Sequence, residues 1–193
     1  HPTDSTEADS YTRLLAAGLV RPSRMDLWVM RSDGSAARQV TNQPGASFAP
    51  YFTPDGRSLI YASNWENPRG RNFDLYRVSV EGGAPTRLTL GAGAERHPTL
   101  SGDGNTLVYS TALANPNVVI QNLQTGAQAT FGGTRDDQMP AFLPDMSGVV
   151  FVSDRTEGYR LWVQPLKDVV PTGEPWKLTD QPGSVAHPAV SPD

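Results

Sequence analysis

The 193-residue chain has no cysteine. That excludes disulfides, thiolate-held metals and a cysteine nucleophile, while leaving the compartment open. No run of 18 apolar residues occurs, so no segment reads as a membrane-spanning helix and no membrane insertion is expected. His1-Pro2-Thr3-Asp4 is not a basic stretch before an apolar one, so no secretory leader is visible; an exported protein would have lost it or would carry it outside this sequence. Basic runs are missing too. Lys+Arg number 16 against 20 Asp+Glu, interspersed to a net charge of -4, and no nucleic-acid footprint follows. Gly-x-Ser-x-Gly, His-Glu-x-x-His and a lysine-bearing phosphate loop are all absent. No α/β segment is present to house a hydrolase triad. No residue is therefore assigned as catalytic, and no cofactor is called for.

What is present is a beat. Pro2, Pro50, Pro98, Pro140 and Pro188 follow one another at intervals of 48, 48, 42 and 48 residues. Tyr61, Tyr109 and Phe151 each stand 11 residues after their proline, and Asp55, Asp103, Asp145 and Asp193 each stand five after. The 18 glycines and 17 prolines recur in phase with this beat and so read as turn punctuation. A period of 40 to 50 residues made of short strands is the signature of a β-propeller, each period folding as one four-stranded blade.

Residues 49–89 make the clearest blade. Ala49 to Thr53 is a short first strand with its proline near the start, where no ladder bond is needed. Pro54-Asp55-Gly56 is a turn. Ser58 to Ser63 is too apolar for an exposed face and reads as a buried second strand. Asn64 to Asn72 is a polar loop, Asp74 to Val80 alternates as a third strand, Glu81-Gly82-Gly83 turns, and Pro85 to Thr89 is the outer strand. The blades are expected at about residues 1–41, 49–89, 97–131 and 139–179, with the start of a further one at 187–193. The fold class is thus all-β, a propeller of four-stranded antiparallel blades with about four repeats, as one domain or a propeller fragment. The first period is worn. Asp26 to Met30 and Arg38 to Thr41 fit strands three and four. Tyr11 to Ala17 reads as a second strand, with a helical turn at Leu14 to Ala17 as the alternative. Leu59, Tyr61, Leu75, Leu107, Tyr109, Val149, Phe151, Leu161 and Trp162 are expected to be buried between blades.

Pro50-Tyr51-Phe52-Thr53-Pro54-Asp55-Gly56, Asp26-Leu27-Trp28, Asp74-Leu75-Tyr76 and Ser191-Pro192-Asp193 together resemble the WD40-like repeat called PD40. That repeat builds the propeller of TolB and related exported proteins, and the propellers attached to some prolyl-oligopeptidase-type peptidases. The resemblance covers roughly residues 26–193. It implies the fold and a periplasmic or extracellular location, but not an activity, because propellers host unrelated functions. Gly102 replaces the turn proline and Met146 the turn glycine, losses that ordinary blades tolerate. Ser101-Gly102-Asp103-Gly104 also invites comparison with the Asp-box of sialidase propellers, but its glycine stands one position too early.

Candidate sites are few. His1, His97 and His187 all precede a phase proline, which puts them near one rim of the channel. Three imidazoles there could bind a transition metal; Ala49 and Met139 at the equivalent positions favour the plainer reading of a tolerated residue. Glu95, Asp136 and Asp137 lie near the same rim and could hold calcium, against the plainer reading of a solvated crossover loop. The turn aspartates are expected to bond their own turn amides. Trp28 and Trp162 share the strand-three position of Tyr76 and read as packing, which leaves Trp65 as the exposed contact.

His187, Pro188, Ala189, Val190 and Ser191 carry a strong inner-strand signature, while residues 3–10 carry a poor one. Pairing of that last strand with the first blade would close a ring within one molecule or link neighbouring molecules; otherwise the chain is a piece of a longer propeller. The leading function is a non-enzymatic interaction or structural module that binds other proteins or copies of itself. The alternative is the propeller gate of a prolyl-oligopeptidase-type hydrolase whose catalytic domain lies outside this chain.

Overall fold

The computed structural model describes residues 5–16, 24–91, 93–112, 115–180 and 183–191. Ser5–Ala16 forms a helix, α1, so Tyr11 to Ala16 takes the helical alternative and not the second strand. The reason is composition: alanine, leucine, arginine and glutamate outweigh β-branched residues across it. Ala17 lies outside the described residues. Trp28–Val29 (β1) and Arg38–Gln39 (β2) then pair antiparallel, and Met25 bridges to Ala46 of the next period.

Three fuller sheets follow. Ser47–Phe52 (β3), Ser58–Ser63 (β4), Asp74–Ser79 (β5) and Thr86–Arg87 (β6) form the first of them, in chain order. Ala94–Leu100 (β7), Thr106–Ala112 (β8), Val118–Asn122 (β9) and Gln128–Phe131 (β10) repeat the arrangement. In the last, Asp137–Phe142 (β11), Gly148–Ser153 (β12) and Arg160–Lys167 (β13) run in order. β13 then pairs with a two-residue hairpin strand, Val170–Pro171 (β14), and with the outer strand Trp176–Lys177 (β15).

The turns after the inner strands show why the period holds. In the first, the Gly56 N–H donates to the Thr53 carbonyl at 2.8 Å, and Gly56 takes φ +67°, where a side chain would be strained. Asp55 accepts from the Thr53 hydroxyl at 2.6 Å and from the Arg57 N–H at 3.0 Å. Asp103 accepts from the Asn105 N–H and Asp145 from the Ser147 N–H, each at 3.0 Å. These bonds stabilise the charged carboxylates and hold all three below the usual carboxylate range. Met146, in the glycine position of its turn, still adopts φ +59°.

Face-to-face stacking makes the core. Every residue of β4 and of β12 is buried, which explains their unbroken apolar runs. Tyr61, Tyr76 and Leu59 pack against Leu27 and Val40 of the first sheet. Ile60 and Leu75 pack against Leu107, Tyr109 and Val119 of the sheet on the other side. Val108 and Ile120 meet Val149 and Phe151 in the same way. Leu161 and Trp162 are only half-buried, short of the expectation. Leu161 stands in the register place of Leu75, on the side where no further four-stranded sheet follows among the described residues.

Two stability outcomes follow. Phe151→Ala empties a fully buried ring site and should cost roughly 3 to 5 kcal/mol in urea unfolding; an unchanged midpoint would contradict the stacking. Met146→Gly relieves a left-handed side chain and should raise stability by up to about 1 kcal/mol; a loss would mean that Met146 packing outweighs the strain.

Candidate functional site

Proline has no N–H, so an inner strand carrying it cannot keep a continuous ladder. The register breaks between Phe48 and Tyr51 in β3, between Arg96 and Thr99 in β7, and between Gln138 and Ala141 in β11. Inside each break the residue before the proline turns left-handed: Ala49 at φ +51°, His97 at +53° and Met139 at +53°. A residue before proline ordinarily stays extended, so this is an imposed bulge. His187 takes φ +53° as well, although residues 183–191 form no strand.

Three of these residues meet. The rings of His97 and His187 lie 6.1 Å apart, edge to face. The His187 N–H donates to the Met139 sulfur at 3.2 Å. His97 is half-buried, with Nδ1 3.0 Å from the Ser110 hydroxyl oxygen. Burial, then the neighbouring His187 and Arg96, push its imidazolium down to about 4, so the ring is neutral at physiological pH. Two of the three sequence-identified histidines therefore meet; His1 lies outside the described residues. Ser110 and the contact of the Met139 sulfur with His187 are the parts that sequence reasoning missed. Ser110 stands where the other repeats carry Ala62 and Val152, so no repeat signal marked it.

The acidic residues are not a solvated loop. Glu95 is 3% exposed in β7 and Asp137 is 0% exposed in β11. Asp137 is paired with Arg155 at 2.8 Å, and that guanidinium also lies over the Phe151 and Trp162 rings. Asp136 accepts from the Tyr159 hydroxyl at 3.0 Å. Among the described residues no three histidine or carboxylate side chains converge on one point, so Glu95, Asp136 and Asp137 do not make the oxygen cage that calcium needs.

Glu95 has a different setting. The Thr89 hydroxyl accepts the Leu75 N–H at 2.8 Å and donates to the Glu95 carboxylate. The same threonine-to-strand bond recurs at Thr41 with Leu27 and at Thr179 with Leu161. Burial lifts the Glu95 carboxyl to about 7, with nearby Asp74 adding to the rise.

Trp65 is half-buried against Tyr76, with 6.0 Å between ring centres, and its indole N–H is buried, so it is not the exposed contact expected. The loop folds back: the Asn64 side chain accepts the Ala46 N–H at 2.8 Å and donates to the Gly70 carbonyl at 3.0 Å, drawing Trp65 inward. Trp28, expected to be packed, is 62% exposed, and Met30 beside it is 66% exposed. The two-stranded sheet of β1 and β2 offers too little surface to cover them. His187, Pro188, Ala189, Val190 and Ser191 form no strand with that sheet in the single chain; within 183–191, the Val185 N–H reaches the Tyr159 carbonyl at 3.4 Å.

Comparison with known proteins bears on this geometry. The sequence matches the family of TolB beta propeller domains, PD40, over residues 10–193. Searched against curated proteins, it finds no match. In fold it is similar to a TolB candidate of Agrobacterium tumefaciens: TM-score 0.72, 18% identity, 88% of this chain and 60% of that one. It is also similar to TolB of Acinetobacter baumannii: TM-score 0.66, 20% identity, 81% of this chain and 38% of that one. A puromycin-hydrolyzing peptidase of Mycobacterium tuberculosis superposes at TM-score 0.62 and 16% identity, over 83% of this chain and 31% of that one. The chain thus spans less than two thirds of the length of each of these structures.

Glu95 gives this region a pH signature. A carboxyl raised from 4.5 to about 7 in the folded state contributes stability in full below about pH 4.5 and loses it as pH rises to 7. Glu95→Gln removes that dependence. The stability of the parent relative to the variant should fall by on the order of 2 kcal/mol between pH 4.5 and 7.5 in paired urea melts. Parallel curves would contradict the assignment.

Proposed function

The chain belongs to the PD40 family of TolB β-propeller domains, and from that footing we propose that it is a non-enzymatic module that binds other proteins or copies of itself. The observation that carries this reading is the mismatch between its two ends. The β1–β2 sheet has only two strands among the described residues and exposes Trp28 and Met30. Residues 183–191 already hold the left-handed pre-proline turn of an inner strand without being one. Such a segment suits addition to the open edge of another copy's first sheet, where backbone hydrogen bonds supply the affinity. Repeated head to tail, that contact closes a ring or grows a filament. No helix among the described residues is long and apolar enough to cross a membrane, and a periplasmic or extracellular location agrees with the TolB relatives.

The second reading, a gate domain beside a prolyl-oligopeptidase-type catalytic domain, draws support from the likeness to the mycobacterial peptidase. Calcium binding is no part of either reading.

Two measurements test the proposal. Removing residues 187–193 should lower the sedimentation coefficient of an assembled species, or the melting temperature if the strand is used within one molecule. If neither moves, strand pairing is discarded. The purified chain should turn over no peptide, ester or glycoside substrate. Turnover that a substitution within residues 1–193 abolishes would overturn the non-enzymatic reading.

A further inference from the structure

His97 and His187 stand in repeats two apart, with the whole β11–β15 sheet between them in sequence. Their rings are nevertheless 6.1 Å apart. Side chains so placed meet only if both point toward the axis around which the repeats are arranged. Met139, at the same place in the repeat between them, accepts the backbone N–H of His187 on its sulfur at 3.2 Å, which sets the thioether beside the second histidine. Three successive repeats thus bring two imidazole rings within 6.1 Å of each other and a thioether against the backbone of the second.

We propose that His97, Met139 and His187 form a binding site for a soft, singly charged transition-metal ion, copper(I) being the best match. The donor set argues for it. A thioether selects copper(I) over the hard ions, which seek carboxylates and carbonyls, and none of these three groups is a carboxylate. The low charge of the ion also suits a rim beside the Arg96 guanidinium. An ion about 2.0 Å from each imidazole nitrogen puts the ring centres roughly 5 to 6.5 Å apart, depending on the bond angle, and the observed separation falls inside that span.

The tautomer is already set. The Ser110 hydroxyl has one proton, and it donates it to the Arg96 carbonyl at 3.1 Å. Its oxygen can then only accept from His97 Nδ1 at 3.0 Å. Nδ1 therefore carries the ring proton, and Nε2 keeps its lone pair for a metal. A second partner that fixes tautomer and ring direction is the usual support of a metal-bound histidine. Ser110 acts here as a positioning residue.

The full 193-residue chain, titrated with silver(I) as a redox-stable stand-in and with copper(I) under argon against a chromophoric chelator, tests the site. One ion per chain should bind, and it should raise the melting temperature. His187→Ala should abolish binding and the thermal shift; since His187 is exposed, the fold should survive, as an unchanged circular dichroism spectrum would verify. Met139→Leu should weaken copper(I) at least tenfold, and Ser110→Ala should weaken it severalfold. His1→Ala should leave binding unchanged. Absence of stoichiometric binding, binding indifferent to both His187→Ala and Met139→Leu, or binding lost only with His1→Ala would overturn the proposal.

Discussion

The middle strands of the β3–β6 and β7–β10 sheets are held between two neighbouring sheets, and that removes water from both of their faces. Burying a polar group there is costly, so β4 is apolar almost throughout and ends in serine, as does β12, every residue of which is buried too. Much of what is polar sits toward the ends of the strands: the turn aspartates, and the threonines whose hydroxyls bond Leu27, Leu75 and Leu161. The same pressure reaches groups that cannot move away: Asp137 is buried only in company with Arg155, and Glu95 adapts by holding a proton more tightly.

The period was legible in the sequence because its markers have no substitutes at their sites. Proline cannot join a ladder, glycine alone turns left-handed without strain, and an aromatic fills the inter-sheet gap at Tyr61, Tyr109 and Phe151. The propeller and the four-stranded form of two of the three fuller sheets could be read from them, and the resemblance of the repeat motifs added the family. The left-handed bulges could not. Ala49, His97 and Met139 share no chemistry that announces a positive φ, and a residue before proline is ordinarily extended. The convergence of His97, Met139 and His187 is a product of that hidden bend and of the curvature of the whole array.

Other residues misled for local reasons. Glu95 and Asp137 look like loop residues among polar neighbours, yet each lies in a strand that begins earlier than its proline suggests. Trp65 sits in a polar loop that hydrogen bonds from Asn64 fold back over the sheet. Trp28 has the right position for packing but a sheet too narrow to cover it. Ser5–Ala16 followed its own helical preference because no repeat grammar was present to override it.

The left-handed turn before Pro50, Pro98, Pro140 and Pro188 keeps its φ within about two degrees whether the residue is alanine, methionine or histidine. Backbone shape and side-chain identity are uncoupled there. Each repeat thereby carries one interchangeable socket at the channel mouth, whose occupant can be replaced without disturbing the stacked strands beneath. A lineage of such propellers can rewrite the chemistry of its mouth one repeat at a time while selection on the core stays silent.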